Sequence, residues 1–195
     1  MNLPNKITIS RIILSIFILF LLMVPLERLG IDLRDLAVTP AIRVDVKYLI
    51  CGVLFLIASA TDILDGKIAR KYNMVTDFGK VLDAIADKLL VNGVLIILAC
   101  QGFINVIIPV IIVSRDIIVD SIKMIAGEKS GAVAASKAGK IKTVLMMSGV
   151  TLMLFYNLPF EIWGLRIADM LIMSATVFSL VSAVEYYINN KKYLM

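Results

Sequence analysis

Four aspartates are the residues whose types and spacing point most directly to chemistry. Asp62 and Asp65 are three residues apart, and Asp83 and Asp87 are four residues apart. Each spacing places two carboxylates on one face of a helix. Between the two pairs there is room for a helix end, a turn near 72–77 and the start of another helix. Two adjacent antiparallel helices would therefore direct four carboxylates at one another.

A divalent cation would allow four carboxylates to share one site. Like charges at close range repel, so four unpaired carboxylates cannot all stay ionised together. The chain contains no histidine, and its two cysteines, Cys51 and Cys100, lie in apolar runs. Carboxylate ligands alone favour Mg²⁺ or Mn²⁺, with Ca²⁺ as an alternative, over Zn²⁺. The absence of histidine also excludes a Ser-His-Asp triad.

Small residues and an arginine accompany the aspartates. Gly66 and Ala69 lie beside the first pair, and Gly79 lies one turn before the second. Small side chains at these positions leave space for a bulky ligand near the metal. Arg70 can bind a phosphate through two parallel N–H donors. The segment therefore predicts a site for a metal and a phosphate-bearing ligand.

The surrounding chain is far more apolar than a soluble domain of its size. Of its 195 residues, 60% are hydrophobic and 18% are charged, against about 45–50% and about 25% in average soluble domains. One domain of this length has too little interior to bury so much apolar surface. The composition therefore predicts an integral membrane protein. Its net charge of +5 then indicates anionic lipid or phosphate substrates, not nucleic acid.

Six long apolar stretches predict an all-α bundle of six transmembrane helices. Each stretch is near or above the roughly 20 residues that cross a hydrocarbon core. The stretches are 7–26, 47–70, 79–101, 104–125, 138–158 and 162–188. A single membrane domain would then occupy residues 1–195. The mixed apolar and charged segment from Glu27 to Lys47 is predicted to form a short helix in the outer interface.

The placement of lysine and arginine predicts the orientation of the bundle. With the N-terminus in the cytoplasm, fifteen of the 20 basic residues fall on the cytoplasmic side. An even number of spans returns the C-terminus to that side. The five basic residues left outside are Arg28, Arg34, Arg43, Lys47 and Arg166. Both termini and the aspartate cluster are therefore expected at the cytoplasmic face of the plasma membrane.

The aspartate segment resembles the signature of the CDP-alcohol phosphotransferase family. Its fixed residues run Asp62-x-x-Asp65-Gly66-x-x-Ala69-Arg70, then eight residues, then Gly79-x-x-x-Asp83-x-x-x-Asp87, all at the family spacing. The six-helix architecture of the family agrees with the predicted spans. The resemblance implies a displacement in which an acceptor hydroxyl attacks the β-phosphorus of a CDP-linked substrate and CMP leaves.

The same resemblance implies a role for each matched residue. The carboxylates would hold two divalent ions, Mg²⁺ or Mn²⁺, through Asp62, Asp65, Asp83 and Asp87. Asp83 and Asp87 would be the catalytic residues, with Asp87 as the general base. The residues expected to contact the CDP group are Asp62, Gly66, Ala69, Arg70 and Gly79. Family members are often homodimers, so a homodimer is expected by analogy.

Three further segments resemble the bacterial branch of the family that transfers onto glycerol 3-phosphate. They are residues 2–11, 114–120 and 134–143. The resemblance implies that the substrates are CDP-diacylglycerol and glycerol 3-phosphate, in phospholipid synthesis. The lipid tails of the first substrate would then remain in the bilayer.

Basic residues in two of these segments suit a phosphorylated acceptor. Lys137 and Lys140 share one face at the start of a helix, where the helix dipole also favours anions. Together with Arg115 they are predicted to bind the acceptor phosphate. Asp116 would hold Arg115 in place, and Lys142, on another face, is interpreted as an anchor for lipid headgroups.

Other functions stay open on the sequence alone. Within the family, the acceptor could be an inositol phosphate or serine, and the three basic residues could be ordinary headgroup anchors. From a different class, the chain could be a divalent-cation transporter that uses the aspartates as its ion site. A transporter predicts carboxylates near the midplane, whereas this cluster adjoins Lys67, Arg70 and Lys71. That neighbourhood favours a site at the cytoplasmic surface.

Overall fold

The computed structural model contains six long helices and one small two-stranded sheet over the residues that it describes. The helices are α1 (Leu3–Met23), α2 (Val46–Lys71), α3 (Asp77–Cys100), α4 (Ile107–Ser130), α5 (Lys137–Leu154) and α6 (Ile167–Leu194), and the strands are β1 (Leu36–Thr39) and β2 (Ile42–Val44). The structure describes residues 3–26, 30, 35–39, 42–72, 76–131 and 136–194, without the side chains of 3, 4, 63–65, 67–71, 77, 80 and 130. The prediction of a helical chain with six helices is confirmed.

The helices pack as two groups that share one core. Helix α1 lies against α2 and α3, and α6 lies against α4 and α5. Contacts of α5 with α2 and of α3 with α4 join the groups. All six helices contribute fully buried side chains to the shared core, which include Ile18, Phe55, Leu95, Ile112, Met146 and Ile172. This packing brings the ends of α2 and α4 to the starts of α1, α3 and α5.

Two of the described helices are long and apolar enough to cross a membrane, over Asn5–Met23 and Ile167–Leu194. Large apolar side chains stay exposed on both, including Phe17 and Phe20 on α1 and Val177 on α6. Such surfaces are unfavourable in water and favourable in lipid. The composition and these exposed faces agree with a membrane protein.

The predicted interfacial helix between Glu27 and Lys47 is wrong where the structure describes that segment. Strands β1 and β2 form an antiparallel hairpin in which Leu36 pairs with Val44 and Ala37 with Arg43. The sequence explains the strands, because it is rich in β-branched residues such as Val38 and Val44, which favour extended backbone.

The connection between α5 and α6 is longer than the apolar pattern predicts. Helix α5 ends at Leu154 and α6 begins at Ile167, so the predicted spans 138–158 and 162–188 both extend too far into it. Gly164 adopts a positive φ of 67° at the end of a 3₁₀ turn, a conformation that glycine accepts most readily. The buried side chain of Asn157 accepts a hydrogen bond from Ala168 N at 3.0 Å and donates to Leu165 O at 2.6 Å. These bonds satisfy backbone groups that helix formation leaves open.

Close packing of α5 on α6 depends on Gly149. A Cβ atom at this position would lie 2.7 Å from Ile172 Cγ1 and 3.2 Å from Ile172 N. We therefore expect Gly149→Ala to lower the thermal unfolding temperature in detergent, because overpacking costs about 1–3 kcal/mol. The matched control is Gly127→Ala in α4, where a Cβ meets no atom within 4 Å and helix propensity improves by about 1 kcal/mol. Equal unfolding temperatures for the two variants would contradict this packing.

Candidate active site

Asp62 on α2 and Asp83 on α3 meet at the side chain of Arg11 on α1. Nη1 of Arg11 donates to Asp62 Oδ1, and Nη2 donates to Asp83 Oδ1 at 2.9 Å. Arg11 is only 2% exposed, whereas the side chains of Asp62 and Asp83 are 34% and 53% exposed. The guanidinium therefore lies beneath two carboxylates that remain accessible from solvent.

The start of α1 is fixed against the start of α3 beside this cluster. Asn5 Nδ2 donates to Thr76 Oγ1 at 3.3 Å, and Thr76 Oγ1 accepts from Gly79 N at 3.0 Å as the N-cap of α3. Asp77 is the first helical residue of α3. A Cβ on Gly79 would lie 2.7 Å from Asn5 Oδ1, so glycine permits the two helix starts to approach.

Asp87 lies one turn further along α3, on the side of α4 and α5. It lines a cavity of about 30 Å³ together with Lys88, Asp116, Lys142 and neighbouring residues of α3 and α5. Across this cavity, Lys142 Nζ donates to Asp116 Oδ1 at 2.5 Å. Asp87 therefore stands between the aspartate cluster and a charged group on α4 and α5.

Arg115 joins α4 to α6 and to the start of α5. Its Nε donates to Ser179 O at 3.0 Å, its Nη1 to Asp116 Oδ1 at 2.8 Å and its Nη2 to Ser182 Oγ at 2.5 Å. Ser182 Oγ in turn lies 3.0 Å from Ser136 Oγ, which caps α5. The predicted contact between Asp116 and Arg115 is present.

The three residues predicted to bind the acceptor phosphate lie at two depths near the start of α5. Lys137 and Lys140 are exposed on the first turn of α5, whereas Arg115 is buried. Arg115 reaches the cap of that helix through Ser182 and Ser136. The three predicted cations therefore lie near the start of α5, with Lys137 and Lys140 on its surface and Arg115 buried beneath it.

Lys142 is not the surface anchor that the sequence suggested. Its side chain is 12% exposed, and its partner Asp116 is 13% exposed. The residue is correctly read as lying on a different face of α5 from Lys137 and Lys140, but that face points to α4 and the cavity beside Asp87. A lysine six residues into a helix gives no sequence signal of which neighbour it will meet.

Several predicted ligands fall outside what the structure describes. The side chains of Asp65, Ala69 and Arg70 are among these, while Gly66 is described as a half-buried position of α2. Among the described side chains, no group of three or more carboxylates and thiols is arranged to hold one ion. Asp62 and Asp83 converge instead on the Arg11 guanidinium.

Arg11 is a site residue that the sequence did not predict, since it was taken as a cytoplasmic charge and as the last residue of the segment 2–11, with no role at the aspartates. Its position within the apolar run of α1 was a usable signal, because ionisable groups inside apolar spans usually face a partner or a functional site. What the sequence did not provide was the partner, which lies 51 residues away at Asp62 and 72 residues away at Asp83.

Comparison with known proteins identifies the family. The sequence profile of the CDP-alcohol phosphatidyltransferases matches residues 1–184. The chain belongs to the CDP-alcohol phosphatidyltransferase family. The resemblance drawn from the aspartate signature is therefore confirmed.

Several relatives are similar to this chain over nearly its full length. A Bacillus subtilis (strain 168) protein named CDP-diacylglycerol--glycerol-3-phosphate 3-phosphatidyltransferase is 38% identical, over 97% of this chain and 95% of its own length. Proteins of the same name from Rickettsia bellii and Mycoplasma genitalium are 32% and 31% identical, over 98% and 96% of this chain and 97% and 77% of their own lengths.

The burial of the Asp116–Lys142 pair leads to a stability test. Asp116→Asn leaves two buried cations with a weaker partner, and removing one member of a buried ion pair costs about 3–5 kcal/mol. The matched control is Asp120→Asn, also on α4, whose pair with Lys88 is 41% and 38% exposed and contributes about 0–1 kcal/mol. Thermal unfolding in detergent should show a clear loss for the first variant and little change for the second. Equal losses of stability in the two variants would contradict a larger contribution from the buried pair than from the exposed pair.

Proposed function

We propose that this chain transfers the phosphatidyl group from CDP-diacylglycerol to sn-glycerol 3-phosphate, giving phosphatidylglycerophosphate and CMP. The observation that carries the proposal is similarity over nearly the whole chain to relatives named for this reaction. All fixed residues of the family signature are also present between Asp62 and Asp87. The reaction would contribute to phospholipid synthesis in a bacterial cell.

We further propose that all six helices cross the plasma membrane, with both termini and the active site at the cytoplasmic face. The charged contacts of Arg11, Asp83 and Lys142 lie toward the end of the bundle where α1, α3 and α5 start. Arg43 and Arg166, which the sequence assigns to the outer side, line one cavity together. This distribution supports the predicted orientation. A homodimer is proposed by family analogy.

The carboxylates suit a divalent metal site. Asp62 and Asp83 come from different helices yet contact one guanidinium, which supports their ability to share one cation. Their oxygen ligands are of the kind that Mg²⁺ and Mn²⁺ prefer. In the proposal, two such ions are held by Asp62, Asp65, Asp83 and Asp87. When bound, the ions would stabilise charge on the transferring phosphate and on the leaving CMP.

In the proposed reaction, this chain orients two substrates and accepts one proton. The glycerol 3-phosphate hydroxyl oxygen bonds to the β-phosphorus, the bond from that phosphorus to CMP breaks, and Asp87 takes the hydroxyl proton. The position of Asp87 between the aspartate cluster and the Asp116–Lys142 pair supports this role.

The two substrates would be bound by different parts of the site. The cytidine nucleotide would lie against the small residues Gly66, Ala69 and Gly79 of α2 and α3. Arg70 would bind its phosphates. Arg115, Lys137 and Lys140 would bind the acceptor phosphate.

Removing one carboxylate tests the catalytic assignment. We expect Asp83→Asn and Asp87→Asn each to lower the rate of CMP release at least about 100-fold, because one variant loses a metal ligand and the other the base. Asp169→Asn, at the opposite end near Arg166, is the matched control and should keep normal turnover. Unfolding temperatures in detergent establish that all three variants are folded. Near-normal turnover in the two site variants would refute the metal-site assignment.

Removing a basic residue tests acceptor binding. Lys137→Ala should raise the KM for glycerol 3-phosphate about tenfold, because it removes a charge-assisted contact to phosphate. The KM for CDP-diacylglycerol should change little. Lys47→Ala, at the opposite end of the bundle, controls for loss of one positive charge. Equal changes in both KM values would argue against a role in binding the acceptor phosphate.

A further inference from the structure

Arg11 connects three helices at the aspartate cluster. We propose that it is a positioning residue that fixes the carboxylates of Asp62 and Asp83 relative to each other for metal binding. This inference rests on the proposed metal site and adds a residue that lies outside the family signature between Asp62 and Asp87. Its basis is the pair of hydrogen bonds from Nη1 and Nη2 of one buried guanidinium to carboxylates on two different helices.

The shape of the guanidinium suits this task. Its nitrogens lie in one rigid plane, so the two carboxylates that they bind are held at a fixed separation. Both bonds end on an Oδ1 atom, and a carboxylate offers about four acceptor positions on its two oxygens. A carboxylate can therefore accept a hydrogen bond from Arg11 and also coordinate an ion. A lysine in this place would keep the charge but present a single nitrogen.

The arginine itself is held firmly. Helix α1 packs against both α2 and α3, and its side chains Ile18 and Leu22 are fully buried. The bond between Asn5 and Thr76 fixes the start of α1 against the start of α3. The position of the guanidinium is therefore determined by helix packing, as expected of a group that orients metal ligands.

A positioning role and a simple counter-charge role predict opposite effects on metal affinity. Removal of a positive charge beside two carboxylates would, by Coulomb attraction alone, strengthen the binding of a cation. Loss of a residue that orients the ligands typically weakens metal binding about 10–100-fold. A measurement of metal affinity therefore distinguishes the two roles. A measurement of turnover alone would not distinguish them.

The test measures Mn²⁺ binding by the purified full-length protein in detergent, with free Mn²⁺ followed by electron paramagnetic resonance. We expect Arg11→Gln to raise the Kd for Mn²⁺ about 10–100-fold, and Arg11→Lys to do nearly the same because it lacks the second nitrogen. Lys6→Gln, which removes one exposed charge from α1, should leave the Kd unchanged. Asp83→Asn serves as the reference for a lost ligand, and thermal unfolding reports on folding.

The outcomes separate this inference from the proposed function. Mn²⁺ binding by Arg11→Gln that equals or exceeds that of the wild type would overturn the positioning role while leaving the metal site intact. If Arg11→Gln fails to fold, Arg11→Lys decides, and a wild-type Kd in that variant would overturn the role. Absence of Mn²⁺ binding by the wild-type protein would remove the proposed metal site and this inference together.

Discussion

Buried charge at one end of an apolar helix bundle must be paired, and the structure of the site depends on this constraint. Arg11 pairs with Asp62 and Asp83 across α1, α2 and α3. Asp116 pairs with Arg115 and Lys142 across α4 and α5. Because an unpaired buried charge costs several kcal/mol, each pairing also fixes the helices that carry it. The charges that we propose for the chemistry therefore also contribute to the architecture around them.

Asp87 connects the two groups of charges. It shares α3 with Asp83, and it lines a cavity with Lys142 and Asp116. The site of nucleotide chemistry and the site of acceptor binding would thus meet at one carboxylate. In such an arrangement a proton can leave the acceptor hydroxyl where the new bond to phosphorus forms. The contacts of Arg115 with Ser182, and of Ser182 with Ser136, extend the same framework to the start of α5.

The sequence predicts what depends on local pattern. Apolar runs gave the six helices, and the spacing of the aspartates gave the signature and the family. The turn at Asn157 and Gly164 between α5 and α6 was not predicted, because apolar residues continue through this connection. The strands at 36–39 and 42–44 were missed because mixed apolar and charged residues fit an interfacial helix equally well. The partners of Arg11 and Lys142 depend on helix packing between residues far apart in the chain, which no local pattern contains.

The most direct test of the proposed reaction is CMP release by the wild-type protein in detergent micelles that contain CDP-diacylglycerol and Mg²⁺. Glycerol 3-phosphate, inositol phosphate and serine are compared as acceptors, with EDTA as the control. We predict CMP and phosphatidylglycerophosphate only with glycerol 3-phosphate, and neither product after EDTA. Release with a different acceptor would contradict the roles of Arg115, Lys137 and Lys140. No metal-dependent release with any acceptor would contradict the reaction itself and favour ion transport.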